Sequence, residues 1–77
     1  MNNLLHKAYY WFQELEIRVE RNNSDTLLVN KKDINTFGFG STELISDYII
    51  RELRKSMGTN KFYWEGSDDN WLCLKTF

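Results

Sequence analysis

The chain has 77 residues, 42% of them apolar and 16% aromatic, with ten Lys or Arg against eleven Asp or Glu. One domain spanning residues 1–77 fits that length and would bury only about 60% of its unfolded surface, so its many rings must supply burial that length cannot. A formal charge of −1 gives no broad positive field for nucleic acid, the lone Cys73 precludes an internal disulfide, and no long apolar run marks export or a membrane span, so a cytoplasmic protein without membrane contact is expected.

From Asn3 to about Gln13, the apolar residues Leu4, Leu5, Ala8, Tyr9, Trp11 and Phe12 recur at three- and four-residue spacing. That period predicts a helix, with Asn2 or Asn3 as its N-cap. At Glu14 the period changes to two. Leu15, Ile17 and Val19 alternate with Glu14, Glu16, Arg18 and Glu20, which predicts a strand whose outward side is mostly negative. Asn22-Asn23-Ser24-Asp25 is turn material, and residues 26–31 return as the second arm of a hairpin. The facing of that arm stays open, because Leu27 and Val29 oppose Leu28.

Asp33 to Gly40 reads as a loop, with Phe37-Gly38-Phe39-Gly40 as a hydrophobic plug in a tight connection. Ser41 or Thr42 then caps a second helix. Its predicted apolar stripe is Leu44, Ile45, Tyr48, Ile49, Leu53 and Met57, with Asp47 and Arg51 as an i,i+4 pair and Gly58 as the stop. Phe62-Tyr63-Trp64 and residues 71–77 form a closing hairpin around the turn residues Gly66 to Asn70. The expected fold class is α+β in the order α-β-β-α-β-β, a small, mainly antiparallel four-stranded sheet with two helices on one face.

No catalytic, metal or cofactor constellation emerges. His6 has no acidic partner on its helical face, and one His with one Cys cannot make a zinc site. Cys73 sits between Leu72 and Leu74 in a strand, the setting of a packing thiol rather than a nucleophile. The Phe-Gly repeat lacks the Lys and Ser or Thr of a phosphate loop, and Glu65, Asp68 and Asp69 lack the spacing of a calcium loop.

The closing hairpin carries rings on both faces while helices need cover only one. The predicted partner-binding residues are therefore Tyr63 and Trp71 as anchors, with Glu65, Asp68 and Asp69 on the rim. If Leu72 and Leu74 face the core, Trp71 is left on the open side with Tyr63 or Trp64 beside it. Those acids disfavour nucleic acid, so a protein partner is expected first. The functional expectation is a non-enzymatic protein-binding module, of the kind phages and mobile elements use to inhibit a host complex, an anti-CRISPR being one example. The alternative is a nucleic-acid-binding module combining the aromatic sheet with Arg51, Arg54, Lys55 and Lys61.

Overall fold

A computed structural model of the chain describes residues 3–77, so the candidate cap Asn2 lies outside the described residues. Helix α1 (Asn3–Glu14) leads to strands β1 (Val19–Asn23) and β2 (Thr26–Asn30), a four-residue helix α2 (Lys31–Ile34) and a 3-10 turn (Asn35–Phe37). Helix α3 (Thr42–Met57) and strands β3 (Phe62–Ser67) and β4 (Trp71–Thr76) follow. The strands form one antiparallel sheet in the order β1-β2-β4-β3.

The two central strands, β2 and β4, come from opposite halves of the chain, with Leu27 opposite Leu74, Val29 opposite Leu72 and Asn30 opposite Trp71. Leu27, Val29, Leu72 and Leu74 are buried against Leu5, Ala8 and Phe12 of α1, while Phe62 closes the core beside Ile45, Ile49, Ile50 and Leu53 of α3. The facing of β2 is thereby resolved: Leu28 points to the uncovered side.

The passage from α1 to β1 departs from the predicted strand. The alternation at Leu15 and Ile17 belongs to a helix cap, in which Ile17 N–H donates to the Phe12 carbonyl at 3.0 Å and Glu16 N–H to the Gln13 carbonyl at 2.9 Å. This closure needs a left-handed residue at its first non-helical position, and Glu16 supplies it at φ 61. Ile17 and Phe12, both fully buried, make the apolar contact that accompanies such caps. The strand therefore starts only at Val19. Glu14, Glu16 and Glu20 are all exposed, but on a helix end, a cap and a strand rather than on one strand face.

Two further corrections concern the middle of the chain. Asp33 to Gly40 is not wholly loop, because Asn30 Oδ1 accepts from Asp33 N–H at 3.1 Å and caps α2, which buries Ile34. On α3, Ile50 rather than Leu44 or Tyr48 joins the core, because the buried arc of this helix is centred on Ile45, Ile49 and Leu53. The helix ends where the sequence places them: Ser41 Oγ accepts from Leu44 N–H at 3.3 Å, and Gly58 stops the helix at φ 66. Asp47 and Arg51 meet differently from the expected pair, with Arg51 Nε donating to the Asp47 main-chain carbonyl at 3.2 Å.

Three substitutions test this packing. Ile49→Ala or Leu53→Ala should each cost about 2–5 kcal/mol in denaturant melts; losses under about 1 kcal/mol at both would place the α3 stripe in solvent. Glu16→Gly should leave stability unchanged or raise it by up to about 1 kcal/mol, since glycine relieves a left-handed penalty of about 1–2 kcal/mol while loosening the unfolded chain. A loss above about 1 kcal/mol would mean that the cap has a different geometry.

Candidate functional site

Strand alternation and the one-sided placement of α1 and α3 leave the other side of the sheet bare. Along it lie Glu20 of β1, Leu28 of β2, Trp71, Cys73 and Lys75 of β4, and Tyr63 and Glu65 of β3. Leu28 and Cys73 are opposite one another at its centre, both half-buried. His6 lies on α1, on the far side of the sheet from Cys73, so the two do not meet. Among the described residues, no three His, Cys, Asp or Glu side chains converge as metal ligands would.

Tyr63 and Trp71 share this face but occupy opposite ends of it. Tyr63 is paired with Lys75 and stacks on Phe77 with ring centroids 4.5 Å apart, whereas Trp71 is opposite Asn30. Trp64 turns to the core side instead, where its indole Nε1 donates to the Ser46 carbonyl at 3.0 Å. Trp71 is therefore alone among the hairpin rings at its end of the sheet.

The predicted rim acids are mostly engaged. Glu65 pairs with Lys75 at 2.7 Å, and this hydrogen bond raises the lysine above its ordinary range. Asp68 Oδ1 accepts from the main-chain N–H groups of Asn70 and Trp71, both at 2.8 Å, and those donors hold its carboxyl below the usual range. Asp68 thus builds the turn that carries Trp71. Asp69 alone stands beside the ring, on the lip of a groove of about 640 Å³ that Trp71 also lines.

That groove is cationic, which the sequence did not reveal. Arg18, Lys31 and Lys32 line it with Trp71 and Asn30. Arg18 is placed by Asp33, whose Oδ2 accepts from Arg18 N–H at 2.8 Å and from Nε at 2.9 Å and whose Oδ1 accepts from Nη2 at 3.1 Å. The guanidinium and the main-chain donor hold Asp33 below the ordinary carboxylate range. Lys31 N–H donates to the Asn70 carbonyl at 2.9 Å and its Nζ to the Asp68 carbonyl, tying α2 to the β3–β4 turn. The only sequence signal was the helix-capping Asn30-Lys31-Lys32-Asp33 run, hidden because it is one turn long.

A second surface adjoins the groove. Phe39 is fully exposed and Leu44 and Tyr48 are 65% and 48% exposed, and with Phe37 they surround a cleft of about 240 Å³. The Phe-Gly segment is thus not a plug but an apolar outcrop, held out by the extended turn at Gly38 and by Gly40 at φ 113. Asn35 and Thr42 of the groove lie two residues along the chain from Phe37 and Leu44 of the outcrop, so the two surfaces are neighbours, although they share no lining residue.

The basic set of the alternative reading is partly structural. Arg54 donates through Nε and Nη2 to the Phe62 carbonyl at 3.1 and 2.7 Å, fastening α3 to β3, and Lys55 pairs with Glu52.

A pH dependence follows from Asp33 and Asp68. Both carboxyls titrate lower folded than unfolded, so the stability they add is complete above the ordinary aspartate range and is lost as pH falls through their folded values. Denaturant midpoints measured between about pH 5 and pH 2 should fall, and Asp33→Asn with Asp68→Asn should flatten that fall; an unchanged slope would show that neither carboxyl is held as described. No known protein family matches the chain, and neither curated proteins nor solved structures contain a match.

Proposed function

We propose that the chain is a non-enzymatic protein-binding module and that it binds through the outcrop of Phe37, Phe39, Leu44 and Tyr48. The observation that supports this is the exposure of those four large apolar side chains in one place. Burying an exposed leucine or phenylalanine yields about 1.5–3 kcal/mol each, and a contiguous apolar patch on a small domain marks an interaction surface. The uncovered sheet face, with Trp71 at one end and Tyr63 at the other, extends the same surface rather than replacing it. The narrower proposal, an intracellular inhibitor of a host complex such as an anti-CRISPR, fits this outcrop because blocking a complex requires a binding surface and no chemistry.

Nucleic-acid binding is the second reading, favoured by one observation: an indole lies among three cations. It is the weaker one, because stacking of a single strand uses rings in succession. Between Trp71 and the next rings on this face, Tyr63 and Phe77, lie Leu28, Cys73 and a lysine already paired with Glu65.

A photo-crosslinking residue at position 39, in protein made by its native cell, should yield one adduct of defined mass. The same residue at Asn22, on the far β1–β2 hairpin, should yield none. Leu44→Ser should abolish the adduct while shifting stability by no more than about 0.5 kcal/mol, since this side chain lies outside the core. Equal adducts from positions 39 and 22, or an adduct that survives Leu44→Ser, would remove the outcrop from the interface.

A further inference from the structure

From the groove beside the outcrop we infer the chemistry of what binds there: it receives an acidic segment of a partner protein, its carboxylates on Arg18, Lys31 and Lys32 and an apolar side chain on Trp71. This deepens the reading of the chain as a protein-binding module and rests on it. The chain as a whole is slightly acidic, yet its three groove cations face a single free carboxylate, that of Asp69. Each cation retains donors. The Arg18 side chain is 65% exposed despite its pairing with Asp33, Lys31 spends one Nζ donor on a neutral carbonyl, and Lys32 has neither ion pair nor side-chain hydrogen bond among the described residues.

Two of the three cations are also held in place. Arg18 is fixed by three hydrogen bonds to Asp33 and a fourth, at 3.3 Å, to Asn30, and Lys31 is anchored by both main chain and side chain to the turn bearing Trp71. Donors fixed before binding lose little freedom when a carboxylate arrives, and guanidinium-carboxylate contacts are among the stronger hydrogen bonds. At about 640 Å³ the groove has room for a few side chains of an extended peptide. Because Asn35 and Thr42 of the groove lie within two residues of Phe37 and Leu44 in the outcrop, a fitting sequence places large apolar residues beside its acidic ones. An acidic peptide is favoured over a nucleic-acid strand because the groove offers one ring and a short cationic cluster, not a track, and because Asp69 stands on its lip.

The test is fluorescence anisotropy with the full chain and three labelled probes: a short peptide alternating glutamate and leucine, the same peptide with glutamine for glutamate, and an oligothymidylate of equal length. The acidic peptide should bind at least about ten-fold more tightly than either other probe and weaken as salt rises. Lys32→Glu should weaken it about ten-fold with an unchanged melting temperature, because this side chain is exposed. Trp71→Phe, which keeps a ring on the sheet, should weaken it less than Lys32→Glu does. The proposal is overturned if the acidic peptide does not bind, if the glutamine peptide matches it, if oligothymidylate outcompetes it, or if Lys32→Glu leaves affinity intact. Phe39→Ser separates the two surfaces. Its effect on native crosslinking reports the outcrop, whereas retention of the acidic peptide's salt-dependent binding reports the groove, so either can fail alone.

Discussion

The pairing of β2 with β4 is the contact on which the rest depends. It joins residues more than forty positions apart and brings Leu27, Val29, Leu72 and Leu74 together under α1 as the floor of the core. Neither hairpin alone supplies a hydrophobic face wide enough to hold a helix, and isolated two-stranded hairpins are marginal in water. Register follows from burial, since a slip of one residue between β2 and β4 would turn either Leu27 and Val29 or Leu72 and Leu74 to solvent and bring Leu28 or Cys73 into the core in their place. The same register sets Asn30 opposite Trp71. It therefore also places the cap of α2, with Lys31 and Lys32, beside the turn at Asp68, and so makes the groove a product of the sheet rather than of any local motif.

Much of this architecture was legible in the sequence because local signals agreed with one another. In α3 a capping serine, an acidic first turn, a stripe of isoleucines and leucine and a terminal glycine all specify one helix, and the structure realises each. The joint after α1 reads as a strand because a cap closed by buried Phe12 and Ile17 produces the same alternation, and glutamate conceals the left-handed position that glycine would advertise. Leu44 and Tyr48 fit the helical period as well as the buried residues do. Periodicity shows which side chains share a stripe but not how wide an arc the sheet covers, and here the arc stops short of them. Of the residues chosen for binding, Trp71 and Tyr63 do lie on the open face. Their separation could not be foreseen without the bulge between Trp64 and Gly66 and the order of the strands.

The sheet's two edges bear on how a partner can approach. β1 carries an irregularity between Arg21 and Asn23, β3 a bulge before Gly66, and the Phe62 carbonyl is occupied by the Arg54 guanidinium. Bulges and side-chain cover are the usual means by which edge strands are kept from pairing with other chains. Recognition by strand addition is thus disfavoured on both sides, and side-chain surfaces remain as the route to binding.

Of those surfaces, the one formed by the outcrop and the groove combines features that the rest of the molecule separates. On the open sheet face Leu28, Cys73, Tyr63 and Trp71 are half-buried, Phe77 is spent in stacking on Tyr63, and Lys75 is paired with Glu65, so this face adds less per side chain than the outcrop does. On the outer side of α1, Tyr9, Tyr10, His6 and Arg21 already satisfy one another through edge-on ring contacts and a cation held 4.3 Å above the Tyr9 ring. Around Phe39 the apolar side chains make no ring contact among the described residues, and Lys32 forms no ion pair there, with only Asp33 and Asp69 as nearby carboxylates. Apolar area supplies affinity that salt does not remove, while the adjacent cations supply orientation and faster encounter. A partner offering both features would be held in one register, because sliding along the surface would set its carboxylates against phenylalanine and its apolar side chains against lysine.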